Sequence, residues 1–308
     1  MMNIDPVATR DALPFERLID ALARMFTAGC TVPARHVHSL DGGTVLIMPA
    51  WHGRYLGIKT VSIFPSNAAR GLPGLFSTYL LHDGATGRPL AQIDGNEITS
   101  RRTACASALA ASRLAAADAS SLLVIGTGRI AALLPAAYRT VRPIERVWIC
   151  GRRDEPTQAL VASLQGQGFD ARAVDDLARR AGEVDIVSCA TLATEPVVQG
   201  AWLRAGSHLD LIGSFTPAMR EADDACFVDA HLYVDTAEAL LKSGDLLGPI
   251  ARGVLSADSV QGTLTELSAL TAPIESSSRT VFKSVGTALE DLAAAILVYE
   301  HATGRVAP

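Results

Sequence analysis

Apolar residues recur at helical spacing over residues 14–28 (PFERLIDALARMFTA). Phe15, Leu18, Ile19, Leu22 and Met25 share one face, which predicts an amphipathic helix. The pattern changes over 43–64. GTVLIMPAWHGRYLGIKTVSIF has short β-branched runs split by Pro49 and Gly53, the pattern of strands and a hairpin. Leu75–Asp83 and Pro89–Asp94 read as two further strands around a turn at Asp83-Gly84-Ala85-Thr86-Gly87. Thr99–Ala117 is Ala-rich and predicted helical.

The character shifts at about residue 118. Leu122–Ile125 is a short apolar strand, followed by Gly126-Thr-Gly-Arg-Ile-Ala131 and a helical stretch. Val147–Cys150, Asp185–Ala190 and Ser207–Ile212 repeat the strand pattern, with a helix predicted at Thr157–Gln167 and another at Thr287–Thr303. Strands alternating with helices predict βαβ units, so the fold class is α/β with a parallel sheet. Pro135 falls inside the helix after the glycines and is expected to kink or shorten it.

Composition narrows the function. Apolar residues make up 49% and charged residues 19% of 308, which excludes a disordered or fibrous chain. A net charge of −5 from 27 basic and 32 acidic residues leaves no electrostatic footprint for nucleic acid. No two of the five cysteines stand in a C-x-x-C spacing. This argues against a disulfide framework and a zinc site and favours a reduced cytoplasmic compartment. The histidines show no metal-ligand spacing, and His36 and His38 are expected at the surface. The N-terminus lacks a basic start followed by an apolar stretch. The most apolar runs, Ser121–Tyr138 with Arg129 inside it and Leu292–Tyr299, fall short of the roughly 20 apolar residues that cross a bilayer.

Gly126-x-Gly128-x-x-Ala131 follows an apolar strand and opens a helix, the context that makes this pattern a dinucleotide fingerprint. The first glycine permits the tight turn, the second lets the backbone approach a pyrophosphate, and Ala131 allows close helix–sheet packing. The helix N-terminus attracts the negative charge. After the next strand an NAD site has an acid for the ribose hydroxyls. Here the chain reads Trp148-Ile-Cys-Gly151-Arg152-Arg153. Arginine pairs with a 2′-phosphate in two-pronged geometry, so NADP(H) is favoured, with NAD(H) the alternative. The competing reading makes both arginines ordinary solvated loop residues.

Three cations stand out on the substrate side. Lys59, in Gly57-Ile-Lys59-Thr-Val, lies in an apolar strand and either snorkels to water or points into a site. Arg35 follows Pro33, and Arg102 stands at the predicted start of the Ala-rich helix. A cation there opposes the helix dipole and is easier to explain if it holds a carboxylate. For each arginine a plain surface charge is the alternative.

These pieces, in order, resemble the ornithine cyclodeaminase/μ-crystallin family over essentially the whole chain. The matching blocks are Pro33-Ala-Arg35, Gly57-Ile-Lys59, Arg70-Gly-Leu-Pro73, Asp83-x-x-Thr-Gly87-x-Pro-Leu-Ala91 and Thr99-x-x-Arg102-Thr-Ala. They continue with Gly126-x-Gly128, Cys189-Ala-Thr191-x-x-x-Glu195-Pro, Gly213-x-x-x-Pro217-x-x-x-Glu221 and Thr280-Val-Phe-Lys-Ser284-Val-Gly286. The resemblance implies a Rossmann dinucleotide-binding domain at 119–286. It also implies a second, α+β domain from 1–118 plus 287–308 that binds substrate and forms a homodimer through its sheet. It assigns Lys59, Arg35 and Arg102 to the substrate, Arg102 clamping its carboxylate and Lys59 near the reacting nitrogen, with Lys59 and Arg102 as the catalytic pair. Around the cofactor it implies Gly126, Gly128, Arg129, Ile130, Thr191 and Ser284, beside Arg152 and Arg153.

Two departures bear on activity. Cyclodeaminases of the family carry Asp in a Gly-Gly-Asp-x-Pro stretch, whereas this chain reads Gly213-Ser214-Phe215-Thr216-Pro217. Phe215 cannot accept a proton. The family also often has Thr or Ser where this chain has Gly74. The missing Asp resembles the ketimine reductase branch. The expected activity is therefore NAD(P)H-dependent reduction of small cyclic imino acids such as Δ1-pyrroline-2-carboxylate to cyclic L-amino acids. The alternatives are an ornithine cyclodeaminase (should another acid such as Asp210 or Glu221 reach the site), an alanine dehydrogenase, and a non-catalytic NADP-binding protein of the μ-crystallin kind.

Overall fold

A computed structural model of the chain describes residues 1–274 and 277–304, so the last four residues of the predicted 287–308 segment lie outside the described part. The chain divides into two compact units, Met1–Arg102 with Thr287–Pro308 and Thr103–Gly286. The cut falls inside one helix, α3 (Gly95–Leu114).

The first unit is a six-stranded sheet with helices. Its elements are β1 (Met2–Ile4), α1 (Pro6–Asp11), α2 (Phe15–Ala28), β2 (His36–Leu40), β3 (Gly43–His52), β4 (Tyr55–Ile63), β5 (Leu75–Asp83) and β6 (Pro89–Asp94). The start of α3 and the last helix, α10 (Ala288–Ala302), complete it; the intervening helices are named with the second unit. The strand order is β1-β6-β5-β4-β3-β2, antiparallel from β2 through β6, with β1 added in parallel. Burial alternates along β4, so Tyr55, Gly57, Lys59 and Val61 all point to the same, covered face. Helix α10 packs on β3, β4 and β5 and against α2, so that face is the one α10 closes.

Two local expectations change. Strand β3 runs through Pro49 instead of breaking there. Pro49 pairs with Ile58 of β4 but lies past the last residue paired to β2, Ile47, so its missing N–H costs no ladder bond. Helix α3 begins at Gly95, four residues before the predicted start, where Asp94 Oδ1 accepts from Glu97 N at 2.7 Å.

The second unit alternates strands and helices: β7 (Ser121–Ile125), α4 (Arg129–Arg139), β8 (Arg146–Cys150), α5 (Asp154–Gly166), β9 (Asp170–Ala173), α6 (Leu177–Glu183), β10 (Ile186–Cys189) and β11 (His208–Leu211). There follow β12 (His231–Val234), α7 (Ala239–Lys242), α8 (Gly244–Ala251), β13 (Val260–Thr263), α9 (Leu264–Ala269) and β14 (Thr280–Lys283). All eight strands are parallel, in the order β13-β12-β14-β11-β10-β7-β8-β9. The run β9-β8-β7-β10-β11-β14 is the 3-2-1-4-5-6 order of a doubly wound dinucleotide fold, with its switch point between β7 and β10. Strands β7, β10, β11 and β14 are buried at every position; β7 accordingly reads as a continuous apolar run, while β11 buries His208 and Asp210 and β14 buries Thr280 and Lys283. Helix α4 continues through Pro135, which is buried, instead of stopping there. No helix among the described residues is long and apolar enough to cross a membrane.

Candidate active site

The first unit holds a buried cluster of four charges. Lys59, only 2% exposed, sits among core-facing positions of β4, and its ammonium lies 2.5 Å from Asp291 Oδ2. Asp291 Oδ1 accepts from Arg102 Nε at 2.9 Å, and Glu290 Oε2 accepts from Arg102 Nη1 at 2.5 Å. Lys59 Nζ also donates to Thr99 Oγ1 at 3.4 Å. Each of these four buried charges has an opposite charge as partner.

The sequence supports each member locally. Glu290 and Asp291 occupy the first turn of α10, where the helix dipole stabilises negative charge. Thr287 caps that helix by accepting from Leu289 N. Gly57 is required because a Cβ there would lie 1.8 Å from the hydroxyl oxygen of Tyr79, the cross-strand neighbour of Lys59 on β5. That buried hydroxyl has no hydrogen-bond partner among the described residues. The neighbouring Arg101 does structural work: its Nε donates to Leu13 O at 2.8 Å and its guanidinium lies over the Phe15 ring at 4.2 Å.

Electrostatics move the two cations in opposite directions. Burial pushes its ammonium down to about 8, opposed chiefly by the charge of Asp291. Burial acts the same way on Arg102, but Asp291 and Glu290 more than offset it and hold the guanidinium above its ordinary value. Burial alone would raise Asp291; Lys59 and Arg102 overcome it and hold the carboxyl below its usual range.

Of the three predicted substrate residues, the structure brings Lys59 and Arg102 together through Asp291, and Arg35 is half-buried in the segment between α2 and β2. The dipole argument for Arg102 does not apply, since α3 starts at Gly95 and Arg102 is beyond its first turn. It does hold carboxylates, those of Glu290 and Asp291. Sequence reasoning missed both acids. Their signal was two adjacent charges in a helix otherwise apolar from Leu292 to Tyr299, since such charges are rarely buried unless paired. His36 and His38 are exposed on β2, with stacked rings 6.4 Å apart.

The second unit carries the dinucleotide features at the C-terminal ends of its strands. Gly126 has φ +131°, and a Cβ there would meet Ala190 O at 2.5 Å, so this turn needs glycine for packing. Gly128 is different. A Cβ there meets nothing within 4 Å, so the chain itself gives no steric reason for glycine. Open space above a helix N-terminus is what an approaching pyrophosphate requires, and the residues present fit a dinucleotide. Arg129 and Ile130 open α4, Arg129 exposed and Ile130 half-buried. Gly151 stands where Thr157 Oγ1 and Thr127 Cγ2 leave no room for a side chain, so packing excludes an acid at that position. Arg152 and Arg153 follow it, both exposed. Neither they nor Arg129 make a side-chain hydrogen bond or ion pair among the described residues.

Buried carboxylates fix the loops after β10, β11 and β14. Glu221 accepts from Thr191 N and Thr191 Oγ1, both at 2.7 Å, and from Gly213 N at 2.6 Å. Asp235 Oδ2 accepts from Val285 N and Gly286 N, which sets the turn after Ser284. Burial raises Glu221 to about 7. Asp210 accepts from Ser107, Tyr138 and Ser188 hydroxyls and is raised by burial to about 6. Neither Asp210 nor Glu221 is exposed, and the donors they hold are structural. Phe215 is 40% exposed.

The sequence profile of the ornithine cyclodeaminase/mu-crystallin family matches residues 15–305. A Delta(1)-pyrroline-2-carboxylate reductase of Paracoccus denitrificans is 45% identical over 273 residues, 86% of each chain. The structure of Thermococcus litoralis Delta(1)-pyrroline-2-carboxylate reductase in complex with NADH and L-proline superposes with a TM-score of 0.93 at 30% identity, over 99% of this chain and 98% of the other. An archaeal alanine dehydrogenase dimer with bound NAD superposes with a TM-score of 0.91 at 27% identity, over 99% and 97%.

Proposed function

The chain belongs to the ornithine cyclodeaminase/mu-crystallin family, and on that premise we propose that it is an NAD(P)H-dependent reductase of small cyclic imino acids such as Δ1-pyrroline-2-carboxylate. The observation that carries this reading is the buried Lys59 ammonium beside Asp291 and Arg102, a proton donor poised near neutral pH. Arg102, helped by Arg35, binds the substrate carboxylate. Lys59 hydrogen-bonds the imine nitrogen and passes it a proton, which makes the C=N carbon a better hydride acceptor. When bound, the nicotinamide supplies the hydride. Holding carboxylate and nitrogen at fixed points is positioning catalysis.

NADP(H) is the favoured cofactor. Arg152 and Arg153, with Arg129 at the start of α4, offer a 2′-phosphate guanidinium groups that no other described side chain uses. Gly126, Gly128 and Ile130 line the pyrophosphate turn, and Thr191 and Ser284 belong to the loops after β10 and β14. The assembly is a homodimer formed through the sheet of the first unit, whose β2 is exposed along its length, with Trp51 and Phe76 exposed on other strands. Five free cysteines suit a reduced cytoplasmic compartment.

The cyclodeaminase alternative needs a carboxylate free to activate water or an amine. Phe215 supplies none, and Asp210 and Glu221 are committed to buried donors. The deciding experiment follows NADPH absorbance with Δ1-pyrroline-2-carboxylate, with NADH, and L-ornithine plus NAD, in parallel. NADPH consumption without ammonia release from ornithine supports the reductase. Ammonia and proline from ornithine overturn it.

A further inference from the structure

We propose that Asp291 is the positioning residue of this site: its two oxygens hold the Lys59 ammonium and the Arg102 guanidinium in one geometry, and its charge keeps Lys59 in the protonated form that the reduction consumes. The inference rests on the imine-reductase reading, because the proton concerned is the one Lys59 delivers. The supporting geometry is independent of that reading. Asp291 touches both cations, Oδ2 on Lys59 at 2.5 Å and Oδ1 on Arg102 Nε at 2.9 Å. Glu290 takes the other side of Arg102 through Nη1. All four groups are buried, so solvent does little to screen their charges.

Among the described residues, charged and titratable groups face Lys59 from three elements. From α10 come Asp291 and Glu290, both favouring the ammonium, and from α3 comes Arg102, opposing it. From β5 comes the neutral Tyr79 phenol, which burial holds protonated, and Thr99 adds a hydroxyl. Burial itself disfavours the ammonium. Asp291 is therefore the largest single influence keeping Lys59 charged.

The step balances. Reduction forms a C–H bond with the hydride of NAD(P)H and an N–H bond with the proton leaving Lys59 Nζ. The dinucleotide is oxidised, the imine reduced, and Lys59 becomes a neutral amine that regains its proton from water. The negative charge of Asp291 and Glu290 then draws the proton back onto Lys59.

The chain has three lysines, Lys59, Lys242 and Lys283, so a 15N-lysine NMR titration reads Lys59 directly without turnover. In the wild type Lys59 is expected to titrate near pH 8. In D291N the midpoint is expected to fall by more than one pH unit, leaving the ammonium-to-amine ratio at pH 8 at least tenfold lower. The alkaline limb of kcat/KM for Δ1-pyrroline-2-carboxylate should move with it. E290Q is expected to move the midpoint less, because Glu290 contacts Arg102. D291E keeps the charge and should restore the wild-type midpoint, its loss appearing in KM. A Lys59 titration unmoved in folded D291N overturns the proposal. Should D291N not fold, a D291E midpoint displaced by more than one unit overturns it equally. A wild type that reduces no cyclic imino acid sinks the functional reading, while a shifted Lys59 in D291N still supports the pairing.

Discussion

Glu221 Oε1 accepts from both the backbone N–H and the hydroxyl of Thr191 at 2.7 Å, so a carboxylate thirty residues downstream sets the loop after β10. Oε2 takes Gly213 N at 2.6 Å and ties the loop after β11 to it. Glu221→Gln turns one acceptor into an N–H donor facing a donor. A buried mispaired group costs about 1–3 kcal/mol. The expected result is a lower Tm together with weaker NADPH binding, read by thermal unfolding and fluorescence titration. Unchanged NADPH affinity would show that the Thr191 loop does not matter to the cofactor.

The two glycines of the fingerprint should separate folding from binding. Gly126→Ala places a Cβ 2.5 Å from Ala190 O at φ +131°, and soluble folded protein is expected to be lost or its Tm sharply lowered. Gly128→Ala meets nothing in the chain, so Tm should hold while NADPH affinity falls at least tenfold. A Gly128→Ala protein that binds NADPH normally would remove the pyrophosphate from that turn.

Arg152→Ala with Arg153→Ala should discriminate the two dinucleotides. Charge-assisted contacts to a phosphate are worth about 1.5–3 kcal/mol, so NADPH affinity should fall roughly 10- to 100-fold while NADH affinity barely changes. Isothermal titration with both cofactors checks this. An equal loss for both would place the 2′-phosphate elsewhere.

Removing Arg102 takes a buried partner from both Glu290 and Asp291. Arg102→Met is expected to cost about 3–5 kcal/mol in stability, as broken buried pairs do. Adding Glu290→Gln should recover part of that cost without restoring substrate affinity. Urea unfolding and imino-acid KM read the two effects separately.

Stability should carry an unusual pH dependence from Asp210. Its folded value, about 6, lies above that of an unfolded Asp, so between about pH 4 and 6 the native state binds more protons. In that window this group makes stability rise as pH falls, by about 1 kcal/mol per pH unit at most. Asp210→Asn should abolish that contribution in urea midpoints measured from pH 4.5 to 7.5; an identical slope in both proteins would show that Asp210 is not its source.

Much was legible along the chain because it depends on neighbours in sequence. Period-2 and period-3.6 patterning marked α2, β5, β6 and the strand–glycine–helix unit at Gly126, and a strained turn must be written with glycine. Lys59 was legible as a charge in an apolar strand, whereas the helix-start argument for Arg102 fell once α3 was seen to begin at Gly95. Edge strand β9 and the segments from β12 to β14 were not individually read, since strands of four residues are too short to show a period of their own. Tertiary structure alone decided the pairing of Lys59 and Arg102 with acids about 190 residues or more away on α10. The physical reason is burial. A charge in a sequence carries no record of what will exclude water from it, and only the closed face beneath α10 makes Asp291 the partner that Lys59 must have.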